Sequence, residues 1–168
     1  MDAGLLVARV VLGVLMAAHG SQKLFGWFGG YGLNGTAGFF EALGFRPGRL
    51  FAATASAAEI AGGLLLAAGF LSPFASGLIV PVMIVAAVSV HWQHGVFATN
   101  NGIEVPLLYG TGAVALALIG PGAYSLDALV GLTPYWTPVV AWSALAIGAI
   151  AGVANLAIRR PAAQAAHA

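Results

Sequence analysis

Two ionisable side chains stand deep inside apolar sequence: Arg9, in Leu6-Val7-Ala8-Arg9-Val10-Val11-Leu12, and Glu59, in Ala57-Ala58-Glu59-Ile60-Ala61. A charge at the centre of a bilayer costs about 2.5–3.5 kcal/mol on insertion scales, so each needs a partner or a task. At 1.5 Å per residue, Arg9 lies about 21 Å up from Lys23, and Glu59 about 14 Å up from Leu50. Two long side chains can close the remaining gap of about 7 Å, which predicts a buried Arg9–Glu59 ion pair. A purely structural pair that fixes helix register is the competing reading.

A second polar tier is expected beneath that pair. His19, Gln22 and Lys23 follow at i, i+3 and i+4 and share one helical face. His91 arrives about 27 Å below Pro73, near the depth of His19, with His94 one turn on and Glu104 at the same level. Histidine with a cation and a carboxylate, in a pocket open to lipid, can hydrogen-bond the carbonyls of a quinone and relay protons. Imidazole suits this because it ordinarily titrates near working pH. In that scheme His19 and His91 orient carbonyls and exchange protons. Arg9 stabilises developing negative charge, and Glu59 balances it and carries protons. Gln22, Lys23 and Glu104 complete the polar lining, while Trp27 and Trp92, with Phe25 and Phe28, sandwich the ring. Ordinary interfacial anchoring is the competing reading of this tier, and the better one for His94. Haem held by His19 and His91 lacks any further signature. Zinc on His91, His94 and Glu104 lacks the expected ligand spacing, so neither haem nor metal is favoured.

Composition dictates the setting in which such groups would work. Of 168 residues, 60% are hydrophobic and 7% charged, and the mean hydropathy is +0.94. A soluble domain is about 25% charged, so a water-covered globule is excluded, as is disorder. A net charge of +1 offers no basic surface to nucleic acid, and the lack of cysteine removes disulfides and thiolate chemistry. What fits is an all-α, polytopic transmembrane helical bundle.

A span needs roughly 20 apolar residues. Five stretches meet or approach that: about Gly4–Lys23, Leu50–Leu71, Phe74–Trp92 behind Pro73, Glu104–Ile119, and Thr137–Ile158. The first is read as a span rather than a cleaved signal, because it opens Met-Asp-Ala-Gly instead of a basic segment. With five spans, Lys23, Arg46, Arg49, Arg159 and Arg160 all fall at one set of ends. The positive-inside rule then places the N-terminus outside and the C-terminus in the cytoplasm. Residues 24–49 read as an interfacial hairpin, with Thr36 capping a helix over Ala37–Leu43 that Gly44 ends. Phe39, Phe40 and Leu43 would share one side and Glu41 face away. Pro81 removes the hydrogen bond to the Gly77 carbonyl and should kink the third span. Gly148-x-x-x-Gly152 forms a small-residue face for dimerisation or for packing inside the bundle.

The stretches Val7-Ala8-Arg9-Val10-Val11-Leu12-Gly13 and Ala18-His19-Gly20-Ser21-Gln22-Lys23-Leu24-Phe25-Gly26 resemble the opening of DoxX-type membrane proteins. So do Glu59-Ile60-Ala61-Gly62-Gly63-Leu64-Leu65-Leu66 and Gly120-Pro121-Gly122-Ala123-Tyr124-Ser125-Leu126-Asp127. The resemblance implies a bacterial inner-membrane four-helix core over 1–128, an additional transmembrane helix over 129–160, and a cytoplasmic tail over 161–168. Arg9, His19, Gln22, Lys23 and Glu59 fall on the family's recurrent polar positions, and His91 resembles its third-helix histidine. Relatives include the membrane subunit of thiosulfate:quinone oxidoreductase and partners of oxidative-stress proteins. The family is functionally heterogeneous, so thiosulfate activity is not carried over. The expectation is a redox-associated inner-membrane subunit that binds a quinone-like or other small molecule beside a partner oxidoreductase and membrane lipid. At most it would be the membrane subunit of a quinone-linked oxidoreductase. A non-catalytic scaffold recruiting a soluble enzyme is the alternative, and a small-molecule transporter a third.

Overall fold

A computed structural model describes residues 1–160; the expected tail over 161–168 lies outside them. The described residues form helices joined by turns: α1 (Asp2–Phe25), α2 (Gly32–Ala42), α3 (Gly48–Ala68), α4 (Ser72–Ala86), α5 (Glu104–Ile119), the single turn α6 (Leu126–Leu129) and α7 (Pro138–Ala157). The fold is an all-α polytopic bundle. Among the described residues four helices are long and apolar enough to cross a membrane: α1, α3, α7, and α4 with its extension to His94. The expected fourth span, α5, has 16 residues and covers about 24 Å, slightly less than the hydrocarbon core.

Lipid offers helices no hydrophobic reason to associate, so close backbone approach must supply the contact energy. Helices α1 and α3 achieve it through a shared seam of small residues. A Cβ added at Gly63 would stand 2.5 Å from the Gly13 carbonyl oxygen, and one at Gly20 would stand 2.6 Å from that of Ser56. Met16, Leu66, Ile79, Met83 and Leu116 then fill the space between α1, α3, α4 and α5.

The Gly148/Gly152 face packs within the chain. A Cβ at Gly148 would lie 2.6 Å from the Gly77 carbonyl oxygen, and one at Gly152 would lie 3.1 Å from Cα of Pro81. The residues expected to offer a homo-oligomer surface are therefore consumed by α4, and that expectation is corrected. Pro81 explains the match, since it takes away the amide that would bond the Gly77 carbonyl and leaves a side of α4 that a glycine can approach. Helix α4 continues through Pro81, and its departure from α geometry comes later, as a π-turn over Ala87–His91.

The hairpin forms, but its helix begins at Gly32, earlier than expected. Thr36 does not cap it. It sits inside α2, buried, and donates its hydroxyl to the Lys23 carbonyl at 3.1 Å, tying α2 back to α1. Gly44 ends the turn beyond α2 with φ of 95°, a conformation that a Cβ would penalise. Glu41 turns to the start of α3, where its carboxylate accepts the Gly48 amide at 3.1 Å. The end of α7 closes over the same turn: Arg159 Nε donates to the Leu43 carbonyl and the Arg160 amide to that of Gly44. The expected cationic end of the bundle is thus one structural layer.

Gly148→Leu should lower the stability of the detergent-solubilised monomer by about 1–3 kcal/mol, an overpacking cost. Its oligomeric state should not change, as size exclusion with light scattering would show; loss of a dimer with unchanged monomer stability would contradict this packing.

Candidate functional site

The α1–α3 seam sets which charges meet. Gly13 lies against Gly63 and Ala67, and Gly20 against Ser56 and Ile60, so Arg9 falls level with Gly69. That is ten residues, or about 15 Å, from Glu59. The expected Arg9–Glu59 pair does not form. Glu59, 1% exposed, instead accepts from Lys23, Nζ to Oε1 at 2.5 Å, and this is the ion pair among the described residues. Counting depth from the loop ends took Lys23 as level with Leu50, whereas the seam sets it level with about Ala55, one turn below Glu59 and within reach of it.

Arg9 belongs to a second polar layer at the opposite end. Its guanidinium, 3% exposed, donates to the Pro121 carbonyl at 2.8 Å and lies within Coulombic range of Asp127. Gly69, with φ of 63°, leaves it room, since a Cβ there would occupy the position of Arg9 Nη1. Asp127 is fully buried and accepts from the Leu71 amide at 2.8 Å, the Ser72 amide at 3.0 Å and the Ser72 hydroxyl at 2.7 Å. Leu71 holds φ of 50°, which a branched side chain adopts only when its surroundings insist. The segment 120–127 is therefore a clasp that closes α1 onto the α3–α4 turn. Arg9 is one of the groups that hold that clasp together.

At the cationic end a cavity of about 800 Å³ opens between α2, α3, α4 and α7. Tyr31, Phe39, Phe40, Phe45 and Phe51 supply an aromatic wall, so the shared side of Phe39, Phe40 and Leu43 faces inward as expected. Pro81, Val82 and Val85 line it from α4, and Ala151 and Asn155 from α7. Its polar positions are Gln22, Lys23, Thr36, Thr54, Ser89, His91 and Asn155. Such a volume, mostly apolar with a few placed polar groups, is that of a small-molecule site.

The expected site residues divide. Gln22, Lys23 and His91 reach the wall; among the described lining residues Arg9, His19, Glu59, Glu104, Trp27 and Trp92 do not appear. Glu59 stands behind Lys23 with Oε2 unpartnered. His19 donates from Nδ1 to Gln22 Oε1 at 3.1 Å and stands edge-on to Tyr109, ring centres 5.6 Å apart. Gln22 passes its amide on to the Phe28 carbonyl at 3.2 Å. Glu104 accepts the Ala98 amide at 2.7 Å, stapling the loop before α5. His94 donates to the Val90 carbonyl at 3.0 Å. His91, His94 and Glu104 are thus bonded separately, and no group of three metal-ligating side chains gathers among the described residues. Trp27, Phe28 and Trp92 are exposed and sandwich nothing in the cavity.

Ser89, Asn155 and the α2 aromatics were not anticipated as site residues. Asn155 carried a signal, being the one amide in the last span. Ser89 carried none, because its place on the cavity wall depends on a π-turn that no periodicity announces.

The fold and cavity define a multi-pass helical membrane protein with a small-molecule-sized site at the cationic end of its bundle. The family model described as DoxX matches residues 4–92. Over 129 residues the chain is 30% identical to "Inner membrane protein YqjF" of Escherichia coli (strain K12), covering 77% of this chain and 93% of that protein. The chain belongs to the DoxX family and, with its apolar spanning helices, is a multi-pass inner-membrane protein. No solved structure matches it.

Lys23→Met should cost about 3 kcal/mol, the low end for breaking a buried pair, because Lys23 keeps 31% exposure. Adding Glu59→Leu should restore most of it in a double-mutant cycle of unfolding free energies. Arg9→Met with Glu59→Leu should be additive to within about 0.5 kcal/mol; strong coupling of that second pair would overturn the register.

Proposed function

We propose that the chain is a redox-associated inner-membrane subunit that holds a neutral, quinone-like molecule in the aromatic cavity and works with a partner oxidoreductase. The observation that carries this reading is the charge balance of the wall. Its one fixed cation, Lys23, is already matched by Glu59, and the other polar lining groups carry no fixed charge. An anionic amphiphile brought there would be desolvated against a compensated pair, whereas a neutral ring with oxygen substituents finds hydrogen bonds without a net charge to bury. The volume accommodates a substituted ring, Phe39 and Phe40 border it, and the α4–α7 side offers an apolar course for a tail.

The residues expected to do the chemistry change with the geometry. Lys23 donates to a ligand oxygen with the N–H groups Glu59 leaves free, and His91 takes the opposite polar position. Glu59 neutralises Lys23 from behind. A bound ring would exchange two electrons with the redox centre of the partner oxidoreductase and two protons with solvent at its oxygens, one of them by way of His91.

The cationic layer, Arg46, Arg49, Arg159 and Arg160 with Lys23, would face the cytoplasm and leave the N-terminus outside. Exposed Trp27, Phe28, Tyr31, Trp92 and Phe97 lie in its loops and suit the headgroup region or an enzyme recruited there. That favours docking of the partner at the same end, the non-catalytic scaffold being the limit in which docking is the whole function.

A calorimetric titration in detergent, corrected by empty micelles, tests the reading. A short-tailed alkyl benzoquinone should bind wild type more tightly than an alkyl carboxylate of equal tail length. Ala55→Trp, which fills the cavity, should abolish binding, while His19→Ala, off the wall, should leave it within about twofold, the range of a change away from the contact. Failure of any neutral ring compound to bind, or tighter binding of the carboxylate, would defeat the proposal.

A further inference from the structure

We infer that the π-turn end of the cavity selects a hydroxylated aromatic ring, so that a quinol-type headgroup is held in preference to the corresponding quinone. This rests on the cavity reading above and adds the form of the molecule it takes.

Two side chains of that turn line the wall, Ser89 and His91. Four helical hydroxyls in this chain bond back four residues: Ser21 to the Ala17 carbonyl, Thr54 to Leu50, Ser56 to Ala52 and Thr111 to Leu107. Ser89 does not. It is 7% exposed and its Oγ has no partner, in a turn whose bonds run to the fifth residue and displace the usual acceptor. Ser76 is also unpartnered but is not a lining residue. A buried, unsatisfied hydroxyl on a cavity wall marks a place for a ligand's polar atom.

His91 decides which polar atom. Its Nδ1 lies 2.7 Å from the Asn101 carbonyl oxygen, which can only accept, so Nδ1 carries the proton. That carbonyl is held in place on several sides. Asn101 sits at φ of 62°, the Ile103 amide bonds to Gly95 at 3.0 Å, and Glu104 clamps the loop through the Ala98 amide. In the neutral imidazole this leaves Nε2 as a lone pair, the ring nitrogen available to a ligand. Lys23, which also lines the cavity, offers the opposite, only donors.

A ring that carries both a donor and an acceptor satisfies this arrangement. A ring hydroxyl gives its proton to His91 Nε2, and an oxygen elsewhere on the ring accepts from Lys23. A quinone has carbonyl oxygens alone, so one of them would set a lone pair against that of His91. Ser89 does not discriminate, since its hydroxyl turns to suit either form.

Three probes with one alkyl tail and no interconversion during the measurement separate the outcomes: an alkylated p-methoxyphenol, the matching p-dimethoxybenzene, and the matching benzoquinone. The phenol should bind wild type about tenfold more tightly than the other two, the value of one hydrogen bond to an otherwise unpaired acceptor. His91→Phe should remove that preference, and Ser89→Ala should weaken all three alike. Equal affinities for phenol and quinone in wild type, or a preference for the quinone, would overturn the inference and leave the cavity reading standing. Absence of binding by all three would overturn both. The wild-type comparison decides the matter even if His91→Phe does not fold.

Discussion

Backbone contact between α1 and α3 is the constraint from which the rest of the structure follows. Gly13 and Gly20 on one helix and Ser56 and Gly63 on the other allow an approach that any larger residue would prevent. Such a seam has one good register, because sliding it by a turn sets side chains against backbone. With the register set, Lys23 must meet Glu59, and Arg9 must find its partners at the other end of the bundle. Charge pairing here is a consequence of packing. A buried pair contributes little net stability, but mismatching it is expensive, so the two requirements reinforce one another.

The outcome is a molecule with two polar layers of different character. The Arg9 layer is packed shut: Asp127 is bonded to Leu71 and Ser72, Arg9 bonds the Pro121 carbonyl with its Nε left unpartnered, and Gly69 gives the guanidinium the space of a missing side chain. The Lys23 layer is open. Glu59 keeps one oxygen free, Ser89 keeps its hydroxyl free, and Lys23 stands on the wall of the cavity. Unsatisfied polar groups are costly in a low-dielectric interior, and a protein retains them where something else completes them. Both layers keep an unpartnered polar atom, and what separates the structural clasp from the candidate binding site is the aromatic cavity beside Lys23.

Much of this was legible in the sequence. Apolar run length revealed the spans, cation placement revealed the charged end, and the Thr36–Gly44 stretch revealed the hairpin with its phenylalanines on one side. Registry was not legible. A depth count from loop ends carries an error of several residues per helix, and a side chain as long as lysine adds several ångströms more, enough to exchange Arg9 for Lys23 as the partner of Glu59. The small-residue seam that would have corrected the count was present as Gly13, Ala17 and Gly20, but glycine is abundant in this chain and only the Gly148/Gly152 spacing stood out. His19 shares the expected face with Gln22, but it stands off the cavity wall, bonded through Nδ1 to Gln22 and edge-on to Tyr109.

The last helix is part of the site and not a support beside it. The family model ends at residue 92, within the loop that follows the π-turn, yet the cavity wall takes Ala151 and Asn155 from α7. The same helix anchors the hairpin, since Arg159 bonds the Leu43 carbonyl and stands over the Phe45 ring at 6.0 Å. Without α7, α2 would keep its ties to α1 through Thr36 and to α3 through Glu41, but the aromatic wall would face lipid on its open side. A cavity needs a far wall as much as a polar end. In this chain Pro81 and Gly77 prepare α4 to receive that wall, through the glycines of α7 that fit against them.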